Sequence, residues 1–350
     1  KKSWKLVEKP TVTKPTDAIV KIEATTICGT DLHILKGDCP EVAEGTILGH
    51  EGIGYVEEVG SEIKNFKKGD KVIVSCITSC GTCTYCKKDI QAHCNDGGWI
   101  LGHLIDGTQA EYVKVPHADY SLIGAPKNVS NESLLMLSDI LPTGNEVGAI
   151  SSRIQEGDIV AIIGCGPVGI AALLAAKVFK PRAVIMVDMD EERLSIAKKV
   201  FGATHSINPN TLKKENKKLT EAIKEVTNEF SAERVGIKDG VDAAIECVGI
   251  PQTFEMCEEI IAPGGRIANV GVHGSKVDLQ LQDLWIKNIS ITTGLVSAYS
   301  TKTLLKNIEQ GALKPEKLVT HQFKLGEIEA AYDTFGHAAS EKCIKVMLNN

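Results

Sequence analysis

The stretch that decides the fold is DIVAIIGCGPVGIAALLAAKVF, Asp158 to Phe179. It begins as a continuous apolar run with β-branched residues, the pattern of a strand buried on both faces. It ends, over 168–179, in Ala- and Leu-rich sequence that reads as a helix. Between them lies GCGPVG, Gly164 to Gly169. Strand, glycine turn and helix in that order form a seat for a dinucleotide pyrophosphate. Gly164 makes the tight turn, Gly166 lets the backbone approach the phosphates, and Gly169 allows close helix–strand packing. Pro167 and Val168 lie where unpaired N–H groups and the helix dipole favour an anion. A second strand over 183–188 (AVIMVD) ends on Asp188, 22 residues beyond Gly166. An acid there accepts hydrogen bonds from both ribose hydroxyls and repels a 2′-phosphate, which selects NAD over NADP.

The same rhythm continues toward the C-terminus. A helix is expected over 191–201, a short strand over 205–208, and further strands over 241–248, 265–270 and 289–293. About six strands with intervening helices indicate an α/β doubly wound parallel sheet. Residues 210–238 are longer and more charged than a tight connection needs, and a surface helix over 219–230 fits part of them. Upstream, 18–115 carries short β-like runs separated by Gly-containing turns: AIVKIEATTI, GIGYVEEVG, KVIVS and AEYVKVP. That spacing suggests a small, partly closed β-barrel. Around 130–150 the pattern turns helical, with cap-like residues from Asn128 to Glu132. The expected division is 1–142 for the first domain, 143–283 for the parallel-sheet domain, and 284–350 returning to complete the first. The crossings are short, with a cleft between the domains.

At 350 residues the chain is long enough for two full cores. Net charge is −6 and the pI about 5.9, so no electrostatic footprint for nucleic acid or an anionic membrane is present. No apolar run approaches the ~20 residues of a membrane span. The chain opens at Lys1 without an initiator Met or a signal-like segment, so a cytoplasmic address is expected and the original N-terminus is expected to have been trimmed or left out. Eleven cysteines in such a chain argue weakly for disulfides. Cys39, Cys165, Cys247, Cys257 and Cys343 are dispersed and read as small buried thiols.

Four others are clustered. Cys80, Cys83, Cys86 and Cys94 follow C-x2-C-x2-C-x7-C in a lobe at about 76–98, the ligand set of a closed tetrahedral Zn²⁺ site. With four thiolates no position is open to substrate, so this site holds a loop. A looser constellation needs the fold to assemble it: Cys28 in ICGTDLH, His50 and Glu51 in LGHEG, and Asp139 in LSDILPTG. Two or three protein ligands plus an exchangeable position is what a catalytic zinc requires. Individually each also reads as a buried thiol, a core histidine or a helix cap.

CGTDLH (28–33), GHEGIGYVEEVG (49–60), the four-cysteine lobe, GCGPVG, APGGRIANVG (262–271) and KLVTHQF (317–323) together make the chain similar to the zinc-dependent alcohol dehydrogenases of the medium-chain dehydrogenase/reductase family. The resemblance spans nearly the whole sequence. It implies a GroES-like catalytic domain plus a Rossmann domain, with one catalytic and one structural Zn²⁺ per chain and NAD as cofactor. It places Cys28, His50 and Asp139 on the catalytic zinc, with Glu51 as an adjacent, sometimes coordinating, acid, here read first as tuning the metal from outside its shell. Cys80, Cys83, Cys86 and Cys94 fall on the structural zinc, and Thr30 and His33 on a proton relay. Cofactor contacts are expected at Gly164, Gly166, Pro167, Val168, Gly169, Asp188, Arg193, Val248, Val270 and Leu295. Cys76, His103 and Val296 would line the substrate pocket, while Trp99 and Trp285 read equally as walls or packing anchors. Asp139 stands where many relatives have cysteine, as in the secondary-alcohol branch of the family. That branch often uses NADP and lacks the four-cysteine lobe, whereas this chain has both the lobe and Asp188.

The function implied is oxidation of a small primary or secondary alcohol to an aldehyde or ketone, and the reverse. Hydride leaves readily only from an alkoxide, and Zn²⁺ lowers the pKa of a bound hydroxyl by several units. Alternatives are a polyol or amino-alcohol dehydrogenase of sorbitol or threonine type, or a non-catalytic relative that binds NAD and zinc. The expected partners are a small-molecule alcohol or carbonyl substrate and further copies of the chain, in a homotetramer or homodimer, with no nucleic acid and no membrane.

Overall fold

The computed structural model describes residues 3–232 and 239–350. In chain order the strands are β1 (Ala18–Thr26), β2 (Gly52–Val59), β3 (Lys71–Val74), β4 (Tyr112–Val115), β5 (Leu122–Gly124), β6 (Ile159–Ile163), β7 (Ala183–Val187), β8 (His205–Ile207), β9 (Val241–Glu246), β10 (Ile261–Asn269), β11 (Ser290–Thr293), β12 (Val319–Lys324) and β13 (Lys345–Asn349). They fall into two compact units, Lys1–Pro142 with Val296–Asn350, and Thr143–Leu295.

In the first unit seven strands run in the order β12-β13-β1-β2-β3-β5, with β4 also on β1. β2 pairs antiparallel along one edge of β1; the other edge is shared by β4 at Ala18–Lys21 and β13 at Ala24–Thr26. Two register shifts interrupt the β1–β2 ladder, and such irregularities bend a strand and raise its twist. Gly54 is fixed by this approach, since a Cβ there would lie 2.1 Å from the Lys21 carbonyl oxygen. The alternating residues Ala18, Val20 and Ile22 of β1 meet Val56, Val72, Val74, Val113 and Val115 in one core. The returning chain adds a second core, where Tyr332 and Phe335 of the helix Ile328–Gly336 pack with Ile27, Val346 and Leu348.

The second unit holds six strands, all paired in parallel, in the order β11-β10-β9-β6-β7-β8. β6 and β7 are buried along their whole length, as apolar runs without alternation require. From β6 the chain steps outward through β7 and β8, then returns to β9 and steps the other way. The order therefore reverses between β6 and β9, and open parallel sheets bind ligands beyond the C-terminal strand ends at such a reversal.

Several expected boundaries move. Residues 284–295, expected in the returning segment, belong to the second unit, because β11 pairs with β10 and Leu284 lies in that core. The 130–150 segment is three pieces, Asn131–Met136, Ile140–Thr143 and a π-helical stretch Gly144–Ile150. A Cβ on Gly144 would sit 2.5 Å from the Ala172 amide, so backbone packs on backbone there. β10 starts at Ile261, earlier than expected, and is interrupted around Gly264, whose φ is +78°. The charged segment holds two helices, Pro209–Lys214 and Leu219–Asn228; the part of that expectation falling on 233–238 lies outside the described residues.

Candidate metal and cofactor sites

Antiparallel pairing brings the first donor cluster together. Thr25 of β1 is opposite Gly52 of β2, and Gly52 is opposite Val74 of β3. The end of β1, the start of β2 and the end of β3 therefore lie side by side. Cys28 follows β1 at the N-cap of the helix Gly29–Lys36, and His50 and Glu51 lead directly into β2. Just past β3, the Cys76 amide donates to the Ser138 carbonyl at 2.9 Å and so holds the turn bearing Asp139. Cys76, expected in the pocket, is itself buried. The donor atoms of Cys28, His50, Glu51 and Asp139 all lie within 4.8 Å of one another. His50 Nε2 is 3.3 Å from Asp139 Oδ2, matching the edge of about 3.4 Å of a tetrahedron with metal–ligand bonds near 2.0–2.1 Å.

The electrostatics fit a cation at this place. Burial opposes charge on His50, yet the Asp139 carboxylate and the Cys28 thiol lift it well above the usual histidine range. Burial pushes Glu51 up to about 7 against the pull of the Lys345 ammonium. Lys345 Nζ donates to Glu51 Oε1 at 2.6 Å and to the Ile27 carbonyl at 3.0 Å, while Glu51 Oε2 is buried without a hydrogen-bond partner. One oxygen of Glu51 is thus tied back, and the other belongs to the donor set. Cys28 is further fixed by its own amide, which donates to Asp31 Oδ2 at 2.8 Å. Asp31 also accepts from Gln109, which in turn accepts from the Tyr332 hydroxyl. On the same short helix the Thr30 hydroxyl lies 3.6 Å from Cys28 Sγ, and His33 is exposed with Nδ1 2.8 Å from Asp38. The Trp99 ring is near-perpendicular to that of His50 and stacked on that of His103, which is buried.

The four-cysteine lobe is a separate site. Its base is closed by reciprocal hydrogen bonds between Thr78 and Gly98, 2.9 and 2.7 Å. The four sulfurs are free, lie within 4.8 Å of one another, and include pairs at 3.9 and 3.5 Å. A tetrahedral Zn–S₄ centre has edges of about 3.8 Å, so the set fits that ion. Burial works against ionising Cys80, but Thr82 and the Cys83 amide bring its thiol down to about 6. Burial and the neighbouring Cys83 push Cys86 up to about 12. Four thiols this close ionise together only around a positive centre.

In the second unit Gly164 adopts φ +104°, and a Cβ on Gly169 would lie 2.0 Å from the Gly164 carbonyl oxygen. Gly166 meets nothing within 4 Å and caps the helix Pro167–Val178. Its lack of a side chain answers no need of the chain's own packing, as expected where phosphates approach. Asp188, just past β7, accepts from the Cys165 amide at 2.6 Å and the Asp190 amide at 2.9 Å. The Arg193 side chain is turned toward Asp190, 3.9 Å away. Beyond β9 and β10, Glu246, which the sequence did not single out, receives the amides of Val248 and Gly249 on its carboxylate and that of Val270 on its carbonyl. Of the expected cofactor residues, the glycine turn, Asp188, Val248 and Val270 stand at the C-terminal ends of β6, β7, β9 and β10, while Arg193 lies in the helix Glu191–Lys199 and Leu295 follows β11. Leu295 is exposed at the end of this unit, and Val296 is buried in the other. Trp285 is exposed.

A nucleotide turn on a parallel sheet and a unit carrying two zinc-compatible donor sets define a zinc-binding dehydrogenase. Residues 14–127 match the family model described as Alcohol dehydrogenase GroES-like domain, and 167–310 the one described as Zinc-binding dehydrogenase. An alcohol dehydrogenase of Cupriavidus necator is 35% identical over 343 residues, 92% of this chain and 89% of the relative. Zinc dependent alcohol dehydrogenase 2 from Streptococcus pneumonia, solved in its apo form, is 53% identical with a TM-score of 0.91, covering 99% of this chain and 95% of that one. A zinc-binding dehydrogenase from Sinorhizobium meliloti 1021, bound to NADP, is 26% identical with a TM-score of 0.84, covering 98% and 94%. The chain belongs to the zinc-dependent alcohol dehydrogenases of the medium-chain dehydrogenase/reductase family.

Proposed function

We propose that this oxidoreductase interconverts a small primary or secondary alcohol and its aldehyde or ketone, with NAD carrying the hydride. The observation behind this reading is the convergence of Cys28, His50 and Asp139 within 4.8 Å, with a hydroxyl and an exposed histidine on the adjoining helix turn. Zn²⁺ at that cluster supplies Lewis acidity, which lowers the pKa of a coordinated hydroxyl and polarises a carbonyl. Thr30, half-buried beside Cys28, takes the substrate's proton. His33, one turn along and open to water, delivers it to solvent through its imidazole. Asp188 holds the adenosine ribose and disfavours a 2′-phosphate. Cys80, Cys83, Cys86 and Cys94 hold the structural zinc. The eleven free thiols fit a cytoplasmic setting, and a homotetramer or homodimer through the outer edge of β11 is the proposed assembly.

The test follows reduced nicotinamide with a panel of short alcohols, extended to sorbitol and threonine, with NAD or NADP and with or without chelator. Chelator-sensitive turnover of a short alcohol with NAD is expected. No turnover of any substrate would end the enzymatic reading, and a preference for sorbitol or threonine would move it to polyols or amino alcohols. Cys28→Ser should abolish turnover and keep the fold, whereas Cys86→Ser should chiefly lower the melting temperature. Identical behaviour of the two would refute the division into catalytic and structural metals.

A further inference from the structure

Trp99 and His103 are stacked face to face, 4.0 Å between ring centroids and 3° between planes, while the Trp99 and His50 rings are near-perpendicular, 6.3 Å apart with 79° between planes. Both nitrogens of His103 are engaged. Nδ1 lies 3.0 Å from the Trp99 carbonyl oxygen and Nε2 2.8 Å from Glu41 Oε1. A carbonyl oxygen and an ionised carboxylate only accept hydrogen bonds. The two bonds coexist only when both ring nitrogens carry hydrogen, so this geometry is that of an imidazolium lying flat on an indole, a favourable cation–π arrangement. His103 is 8% exposed, so its charge is poorly served by water and depends on Glu41. Glu41 lies on the exposed chain between the helix Gly29–Lys36 and His50; its own amide and the His103 ring hold its carboxyl below the usual carboxylate range. Among the described residues Glu41 is the charged group against the ring. Asp38 and Cys39 stand beside Glu41.

We propose that His103 is a positioning residue: as an imidazolium bridging the Trp99 carbonyl and the Glu41 carboxylate, it holds the Trp99 indole as a wall of the substrate site and releases Glu41 when it loses its proton. This rests on the reading of the His50 cluster as the alcohol site. The release has a direction. Losing the Nδ1 proton would leave the part-buried Trp99 carbonyl without its donor, whereas Glu41, its side chain 49% exposed, turns to water at little cost. Nε2 therefore gives up the proton, and its lone pair then faces a carboxylate and repels it. The clasp is closed at low pH and opens as pH rises. His103, expected to line the pocket, acts instead through Trp99.

The experiment uses zinc-loaded protein in which the exposed Trp4 and Trp285 are replaced by Phe, leaving Trp99 as the reporter. A protonated imidazole stacked on an indole quenches its emission, so fluorescence should rise in one step as pH increases. His103→Gln should abolish the step, and Glu41→Gln should move it to lower pH. Emission independent of pH, or a step that survives His103→Gln, would overturn the clasp. The wall is read separately: in either variant the ratio of kcat/KM for a branched alcohol to that for ethanol should rise on the order of tenfold, the scale of a methylene-sized change in a pocket. An unchanged ratio would overturn the wall. A fluorescence step in a protein that turns over no alcohol would leave the clasp standing and refute the alcohol reading instead.

Discussion

Lys345 and Glu51 form an ion pair with both side chains 1% exposed. Removing one partner of such a pair leaves an uncompensated buried charge, which costs about 3–5 kcal/mol, more than the pair itself contributes. Lys345→Met is therefore expected to destabilise the protein by about that amount, and Lys345→Met with Glu51→Gln to recover most of it, as measured by urea unfolding. Equal loss in the single and double variants would show that Lys345 acts by packing alone. Cys28, His50 and Asp139 were legible because each sits in a distinctive local run. Lys345 was not: its only trace is one lysine inside the apolar strand KVML, and what pairs with it is decided 294 residues away.

The glycine turn shows how one motif serves two purposes. Gly169→Ala would drive a Cβ to 2.0 Å from the Gly164 carbonyl, so the helix Pro167–Val178 has to move off β6. The expected result is a large fall in melting temperature or no soluble protein. Gly166→Ala meets nothing in the chain and should fold with an unchanged melting temperature while weakening NAD binding on the order of tenfold or more, because the methyl group occupies the place of a phosphate. Calorimetric titration of both variants checks this, and equal NAD affinity in Gly166→Ala and the parent would remove the turn from the cofactor site. The strands of the second unit and its helices over 167–178, 191–199 and 219–228 were legible within a few residues because buried parallel strands and amphipathic or Ala-rich helices write their periods into the sequence; the helices Pro209–Lys214 and Pro251–Ile260 were not placed. The 130–150 segment read as one helical region. Gly144, where the π-helical stretch begins, packs its backbone against Ala172, a contact no local pattern encodes.

At the scale of the molecule, NAD binding at the proposed glycine-turn site would stabilise the native state by mass action, about 2.7 kcal/mol at a hundredfold excess over its Kd. Hydrogen exchange should therefore slow on adding NAD, first at the C-terminal ends of β6, β7 and β9; protection confined to the first unit would contradict the assigned site. Among the described residues no strand covers the outer edge of β11, and Ile291 on it is exposed. Unpaired edges invite strand pairing, so Thr292→Pro should lower the oligomeric mass seen by light scattering if copies join there. An unchanged mass places the contact elsewhere.

The sequence by itself determined what depends on short separations: the strand–turn–helix of the nucleotide site, the four-cysteine lobe, and the family these motifs announce. Neighbouring residues carry their geometry with them, through turn conformation, ligand spacing and side-chain period. Tertiary structure alone decided the rest. The antiparallel register of β1, β2 and β3 brings Cys28 beside His50. β13 delivers Lys345 to Glu51, and β11 stays with the parallel sheet instead of the returning segment. The Glu41 carboxylate that meets the His103 ring comes from a different loop. Each of these is a contact between distant parts of the chain, whose partner is chosen by sheet register and burial, and one sequence read along its length holds no record of that choice.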